Sequence, residues 1–235
     1  MRFGHDGPLR HLFKRVVPAD LPRETRLDTQ PDFHCGLMSL PLRLGIVDPI
    51  GWGVPYLYAD PALKQRGRER VEAQRVAQRV GNRKVGQVWN GNREHILDMR
   101  RSVPVGQLES LLNVPGVSYF ALSPGRGETV AQWRAKRLDV VDMPADFQSG
   151  FDDTAALAPN LDLIVTIDSR PAHLVGALGV PTCPMIDHVS AWFWGDESTR
   201  TAWYGSIELY RQPRVGDWAP VVARVRAKIE AITRG

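Results

Sequence analysis

From residue 81 onward the sequence alternates between short apolar runs and amphipathic stretches, and this alternation restricts the fold more than any other feature. It is typical of βα units around a parallel sheet. The predicted strands are Val85–Trp89, Val117–Leu122, Asp139–Met143, Leu161–Ile167 and Pro184–Ile186. The predicted helices are Val105–Leu112, Glu128–Arg137, Thr154–Ala158, Ala172–Leu178 and a last helix capped by Asp217 that runs from Trp218 to Ile232. Residues 85–235 are therefore predicted to form a complete Rossmann-type domain.

Residues 1–84 have a different pattern. Seven prolines between Pro8 and Pro55 argue against long helices and central strands. The pieces Leu37–Leu44 and Val54–Tyr58 are predicted to be brief strands or turns. A helix is predicted from Asp60, its N-cap, to Val80. Its basic side is expected to be a solvated face, with an anion-binding surface as the alternative. We therefore predict two regions, 1–84 and 85–235.

Composition limits the class of protein. With 43% hydrophobic and 24% charged residues the chain has an ordinary globular composition. Only Cys35 and Cys183 are present, which excludes a disulfide framework. No apolar stretch is long enough for a membrane helix or a signal peptide, so we expect a soluble, cytoplasmic protein. The net charge of +4 is too small to indicate nucleic acid as a partner.

The first of three polar segments follows the predicted strand Val85–Trp89, and ligands of open parallel sheets bind where strands end. It begins with Asn90, Gly91 and Asn92 and continues to Arg101 and Ser102. Its small residues allow backbone N–H groups to approach an anion, and its arginines can neutralise a diphosphate. From composition alone, a polar surface loop is an equally good interpretation.

The third segment follows Leu161–Ile167 and carries Asp168, Ser169 and His173 at the start of a helix. Gly176, in that helix, is expected to allow a close approach to the sheet. Alone, an Asp-Ser pair is usually a helix cap and a histidine usually a structural partner. Together at one strand end they favour a binding site. The second segment holds only a Gly125-x-Gly127 pair, a weak dinucleotide signal.

Several kinds of site are excluded by the sequence. It contains no Gly-x-Ser-x-Gly elbow, no Walker A motif and no paired spacing of zinc ligands. We therefore expect neither a metal nor a cofactor.

Five stretches carry a resemblance to a known family. They are PDFHCGLMSLPLRLG, VPYLYADPALKQR, VGQVWNGNREHILDMRRSVP, FDDTAALAPNLDLIVTIDSRPAHLVGALGVPT and AWYGSIELYRQPRVGDWAPVVARV. These stretches resemble the glycosyltransferase-like domain that follows tetratricopeptide repeats in many bacterial proteins. That domain is similar to the lipopolysaccharide heptosyltransferases, which have the GT-B fold of two facing Rossmann domains. The resemblance implies a GT-B-like α/β fold and a metal-independent transferase.

The resemblance also implies a partner and a site. The partner is a nucleotide-diphosphate sugar, and the acceptor is an unknown protein or glycan. Asn90, Gly91 and Asn92 would line the phosphates, and Arg101 with Ser102 would hold the loop or the diphosphate. The sugar or pyrophosphate would meet Asp168, Ser169 and His173, with Gly176 in the same motif.

Two departures from the family limit what is carried over. Ser123-Pro124 stands where relatives commonly have Gln-Lys, and the glycine-rich start of the amino-terminal half is not found before Pro31. The resemblance thus predicts a complete donor-binding half after a truncated, irregular acceptor half, with the catalytic base unassigned. The alternatives are a catalytically inert binding or interaction module and, third, a nicotinamide-dependent oxidoreductase.

Overall fold

A computed structural model describes residues 12, 15–16, 33–36, 39–46, 53–76, 82–91, 98–123, 126–143, 150–196 and 199–234. The helices are α1 (Leu40–Arg43), α2 (Pro61–Val76), α3 (Asp98–Arg101), α4 (Val105–Leu108), α5 (Gly127–Ala135), α6 (Phe151–Leu157), α7 (Arg170–Ala177) and α8 (Ala219–Arg234). The strands are β1 (Arg83–Gln87), β2 (Val117–Ala121), β3 (Val140–Asp142), β4 (Leu163–Ile167), β5 (Thr182–Ile186) and β6 (Tyr210–Arg211). Short 3₁₀ helices cover Leu111–Asn113, Ala158–Asn160 and Trp192–Trp194.

The six strands form one parallel sheet in the order β3-β2-β1-β4-β5-β6. This confirms the predicted α/β class. The central strand β1 pairs with β2 on one side and β4 on the other, so that Val85 lies opposite both Tyr119 and Leu163. The strand order reverses between β1 and β4. At such a switch point the loops that follow the two strands turn to opposite faces and leave a crevice between them.

Helices cover both faces of the sheet. On one face α4, α5 and α8 pack against it, and Trp133 of α5 meets Trp89 with ring centroids 4.7 Å apart. The other face is covered by α2, α6 and α7, which contribute Val71, Leu157 and Val175 to a second apolar cluster. Strands β2, β4 and β5 are buried over their whole length, as expected for a parallel sheet between two helical layers.

Helix α2 begins as the sequence predicts. The Asp60 carboxylate accepts hydrogen bonds from the N–H groups of Ala62 and Leu63 at 2.9 and 3.0 Å, which caps the helix. The described part of α2 ends at Val76, and residues 77–80 of the predicted helix lie outside the described residues. Its basic residues Lys64 and Arg68 are exposed.

Helices α5, α6 and α7 begin one to three residues earlier than predicted, and two other predicted helices differ as well. The predicted helix Val105–Leu112 is divided into α4 and a 3₁₀ turn, where the Ser110 hydroxyl donates to the Gln107 carbonyl at 3.0 Å and competes with regular helical pairing. The last helix begins at Ala219, so Asp217 does not occupy the N-cap position before its first residue.

Three shorter segments also differ. Strand β5 begins two residues earlier than predicted, at Thr182, and β6 was not predicted. The segment Leu37–Leu44 contains the one-turn helix α1, with Pro41 in its first turn; Leu37 itself lies outside the described residues. The division of the chain at residue 84 stays a prediction. None of the described helices is long and apolar enough to cross a lipid bilayer.

Candidate functional site

The candidate site lies at the carboxyl edge of the sheet. The segment Asn90-Gly91 follows β1, and Asp168-Ser169 follows β4. Because β1 and β4 are neighbours, these two polar turns lie next to each other. The turn after β2 adjoins them as well, since the Trp89 N–H lies 3.4 Å from the Ser123 hydroxyl and donates to it. Asn92 and Gly125 lie outside the described residues.

Arg101 connects the two turns. Its Nη1 donates to the Asp168 carbonyl at 3.3 Å, and its Nε pairs with Asp98 Oδ1 at 3.2 Å. Gly91 lies directly against the guanidinium: a Cβ at this position would be 2.3 Å from Arg101 Nη2. A residue without a side chain is therefore needed here, but the group that approaches Gly91 is the arginine of its own loop. The contacts of Arg101 join Asp98 to the Asp168 turn beside Gly91, and a contact with diphosphate stays a prediction.

A third strand end joins the same edge. Arg100 Nη2 forms an ion pair of 2.8 Å with Asp187, which follows β5, and the other Asp187 oxygen accepts the His188 N–H at 2.7 Å. Asp187 was not predicted from the sequence, because no motif surrounds it. The only sequence feature that could have indicated Asp187 is its position directly after the predicted strand Pro184–Ile186.

The charges at this edge are balanced rather than strongly positive. Arg100 and Arg101 are each paired with a carboxylate. Arg126, which follows the β2 turn, has a buried Nε without a hydrogen-bond partner among the residues described. Buried atoms of the β1 segment also lack a partner in the described part of the chain: Asn90 Oδ1, Arg100 Nε and Ser102 Oγ. These groups retain hydrogen-bonding capacity for a polar ligand or water.

Ser169 occupies the N-cap position of α7 but does not cap it. Its hydroxyl donates back to the Ile167 carbonyl at 3.2 Å, and no side-chain cap is formed. The sequence analysis named a helix cap as the ordinary role of an Asp-Ser pair, and the structure shows a different contact for the serine. The positive end of the helix dipole is consequently left without a cap from the Ser169 side chain.

His173 lies in the first turn of α7 inside an aromatic box. Its ring is stacked on Trp194, with centroids 4.8 Å apart and planes inclined by 13°, and meets the Phe193 ring at 4.9 Å. Its Nδ1 lies 3.1 Å from the Tyr204 hydroxyl. Burial lowers the pKa of His173, although the charge of Asp168 opposes this shift. The arrangement favours a neutral imidazole at physiological pH.

Gly176 lies one turn further along α7. A Cβ here would be 2.7 Å from Tyr204 Cγ and 2.8 Å from Ile207 Cδ1. The sequence predicts a close approach to the sheet, but the atoms nearest to Gly176 belong to the segment between β5 and β6. The binding role assigned to Gly176 stays a prediction. The aromatic residues of the box were missed by the sequence analysis, although the runs Trp192–Trp194 and Trp203-Tyr204 were visible in it.

A cavity of about 460 Å³ lies beside the aromatic box rather than at the switch point. Trp192, Trp203 and Arg200 are among its lining residues. Within the described ranges no group of three His, Cys, Asp or Glu side chains is arranged to hold a metal ion.

Comparison with known proteins shows similarity to a curated sequence and to solved glycosyltransferase structures. No protein-family model matches the chain. Protein FlbA of Caulobacter vibrioides is 27% identical over 183 residues, which cover 72% of this chain and 28% of FlbA. The structure of E. coli ADP-heptose lps heptosyltransferase II is similar, with a TM-score of 0.56 and 14% identity over 76% of this chain. A glycosyl transferase of family 9 from Veillonella parvula matches 92% of this chain, with a TM-score of 0.59 and 15% identity.

The chain spans only part of each of these proteins. It covers about a quarter of FlbA, 53% of the E. coli enzyme and 64% of the Veillonella protein. At these identities the two structures show a shared fold. The described sheet and its helices therefore have a glycosyltransferase-like architecture, as the resemblance implied.

Proposed function

We propose that the protein binds a nucleoside-diphosphate sugar at the carboxyl edge of its sheet and acts as the donor-binding part of a glycosyltransferase. The observation that carries this proposal is the position of Arg101, which joins the Asn90-Gly91 turn to the Asp168 turn across the switch point. Ligands of open parallel sheets bind in this crevice. The similarity to two glycosyltransferase folds supports a sugar nucleotide as the ligand.

The donors that would hold the diphosphate come from three strand ends. Backbone N–H groups of the Asn90-Gly91 turn and the uncapped start of α7 offer neutral donors. Arg126 adds a cation that has no ion pair among the described residues. Since Arg100 and Arg101 already have carboxylate partners, most of their charge goes to organising the loop. The proposed phosphate site can therefore contain arginines that are mostly paired with carboxylates.

The reaction would be a direct displacement. The acceptor hydroxyl oxygen attacks the anomeric carbon and loses its proton to a base, while the bond from that carbon to the diphosphate oxygen breaks. The diphosphate leaves with the bonding electron pair, and donors placed around it stabilise the growing negative charge. We assign no residue as the base.

Isothermal titration with ADP, GDP, UDP and CDP tests the donor site. We expect one of the four to bind more tightly than the others, and the matching nucleoside monophosphate to bind more weakly because it lacks the second phosphate. Absence of heat for all four diphosphates would refute the donor-site proposal.

A catalytically inert binding module is the second candidate, and the carboxylate pairing of Arg100 and Arg101 favours it. Incubation with radiolabelled nucleotide sugars separates the two functions. Slow release of sugar that disappears in His173→Ala supports an enzyme. Tight diphosphate binding without any release of sugar supports the inert module.

A further inference from the structure

The contact between His173 and Tyr204 determines which nitrogen of the imidazole carries the proton. Nδ1 lies 3.1 Å from the Tyr204 hydroxyl, whereas Nε2 has no hydrogen-bond partner among the residues that the structure describes. A neutral imidazole has one donor nitrogen and one acceptor nitrogen. The partner of Nδ1 therefore decides whether Nε2 carries a proton or a lone pair.

Tyr204 is protonated under ordinary conditions. Burial raises its pKa, and the nearby Tyr56, whose ring is stacked on Tyr204 at 6.5 Å, raises it further through its charge and a side-chain hydrogen bond. The pKa of His173 is lowered by burial, against the charge of Asp168. The Tyr204 hydroxyl has one proton, for which Tyr56 and Nδ1 of His173 compete. The nitrogen of a neutral imidazole is a more basic acceptor than a phenol oxygen, which favours donation to Nδ1.

The geometry points to Tyr204 as a positioning residue: its hydroxyl donates to Nδ1 of His173 and fixes the ring as the Nε2–H tautomer. Nε2–H is then a neutral donor for a phosphate oxygen of the leaving diphosphate. This last step rests on the proposed function. The step concerning the tautomer rests only on the contacts of His173.

The surroundings of both rings hold the plane of the imidazole. Trp194 lies flat against one face of His173 and the Phe193 ring is nearly perpendicular to it, so that tilting the imidazole out of this plane would break both contacts. Gly176 leaves the space that the Tyr204 ring occupies. The positioning device thus combines one hydrogen bond with packing on both partners, and it needs no charged group to hold the ring.

Nitrogen NMR of protein labelled with ¹⁵N-histidine tests the tautomer without any ligand. In the wild type, above the pKa of His173, we expect an unprotonated Nδ1 and a protonated Nε2, with the signals assigned by their loss in His173→Gln. In Tyr204→Phe we expect a mixture of tautomers and a higher His173 pKa, because the hydroxyl no longer stabilises the neutral ring. The control is Tyr210→Phe, which removes another phenol hydroxyl, bonded to Glu208 at 2.8 Å. It leaves the His173 signals unchanged.

A double-mutant cycle of binding affinities tests whether Tyr204 affects nucleotide binding through His173. Tyr204→Phe is expected to weaken binding of the preferred nucleoside diphosphate by about three- to tenfold, the loss typical of one hydrogen bond. His173→Gln places an amide donor near the position of Nε2 and should bind more tightly than His173→Asn. In the His173→Gln background, Tyr204→Phe is expected to have no further effect.

The outcomes separate this inference from the proposed function. A protonated Nδ1 in the wild type, or identical His173 spectra in wild type and Tyr204→Phe, would overturn the inference even if nucleotides bind. An equal loss of affinity from Tyr204→Phe in both backgrounds would show that Tyr204 acts elsewhere. If the spectra change as expected and no diphosphate binds, Tyr204 still sets the tautomer and the proposed function fails.

Discussion

The two sides of the carboxyl edge are held together by different forces. On the β1 side, Arg101 is paired with Asp98 and Arg100 with Asp187, and the pairs are 3.2 and 2.8 Å long. On the α7 side, His173 is surrounded by Trp194, Phe193 and Tyr204, with one hydrogen bond between uncharged groups. One half of the site is therefore organised by charge and the other by packing.

This difference has consequences for function. The Arg100 side chain is 40% exposed, and an ion pair of such a side chain contributes little to stability, so its effect is mainly one of orientation. An aromatic box contributes to stability as well as to position, because it buries apolar surface. Changes on the β1 side should thus alter binding more than folding, and changes on the α7 side should alter both.

Arg101→Met gives the largest expected effect and removes the connection between the two turns. We expect affinity for the preferred nucleoside diphosphate to fall about 10- to 100-fold. The reason is that the charge-assisted hydrogen bonds of the Arg101 guanidinium, worth about 1.5–3 kcal/mol, are lost. Isothermal titration measures the change. The matched control is Arg134→Met, in which a guanidinium bonded to the Val140 carbonyl at 2.8 Å is removed away from the edge. Unaltered affinity in Arg101→Met would show that the two turns do not share a ligand.

Two glycine substitutions compare the sides directly. At Gly176 a new Cβ meets the buried ring of Tyr204 at 2.7 Å, and we expect Gly176→Ala to lower the free energy of unfolding by about 1–2 kcal/mol through overpacking. At Gly91 the new Cβ meets the end of the flexible Arg101 side chain at 2.3 Å. That side chain can move, so Gly91→Ala should weaken nucleotide binding with a smaller loss of stability. Urea denaturation together with titration separates the effects, and equal destabilisation by both substitutions contradicts the comparison.

The sequence was sufficient for most of the sheet and for the position of the polar turns at its edge. Apolar runs at regular spacing predicted β1, β2, β3, β4 and β5, because buried parallel strands need continuous apolar residues. Polar turns after β1 and β4 could then be placed at one edge without coordinates. The two-residue β6 escaped prediction because Tyr210–Arg211 has no apolar run of its own.

The α7 side could not be derived in the same way. Trp194 and Tyr204 lie 21 and 31 residues beyond His173 and approach it only through the irregular segment between β5 and β6. Nothing in the local pattern around His173 specifies such partners, so a histidine in an aromatic box is indistinguishable in sequence from a solvated one. Likewise, nothing in the sequence around Ser169 indicates that its hydroxyl donates to the Ile167 carbonyl.

Acid should affect the α7 side through His173. Its pKa is lower in the folded protein than the value of about 6.5 in the unfolded chain. Between these two values the unfolded chain binds more protons, so the free energy of unfolding falls as the pH drops below about 6.5. Urea titrations between about pH 7.5 and about pH 5 should therefore show a shallower decline for His173→Gln than for the wild type. Parallel declines would mean that His173 does not titrate differently in the two states.

Asp187→Asn gives the smallest expected effect. It changes only the charged β1 side of the site. The amide keeps an acceptor for the His188 N–H but loses the ion pair with Arg100, whose side chain is 40% exposed. We expect a loss of about 0.2–1 kcal/mol in stability that vanishes at high salt.

Arg100 becomes available to an anion in this variant, so affinity for the nucleoside diphosphate should rise, by about two- to threefold, at low salt. The exposed pair Lys136–Glu109, 2.6 Å long, supplies the control. Glu109→Gln should change stability to a similar extent and leave affinity unaltered. Weaker binding in Asp187→Asn would mean that the Asp187 carboxylate is needed to position Arg100 for the ligand. The charged side would then act as a rigid unit, as the aromatic side does.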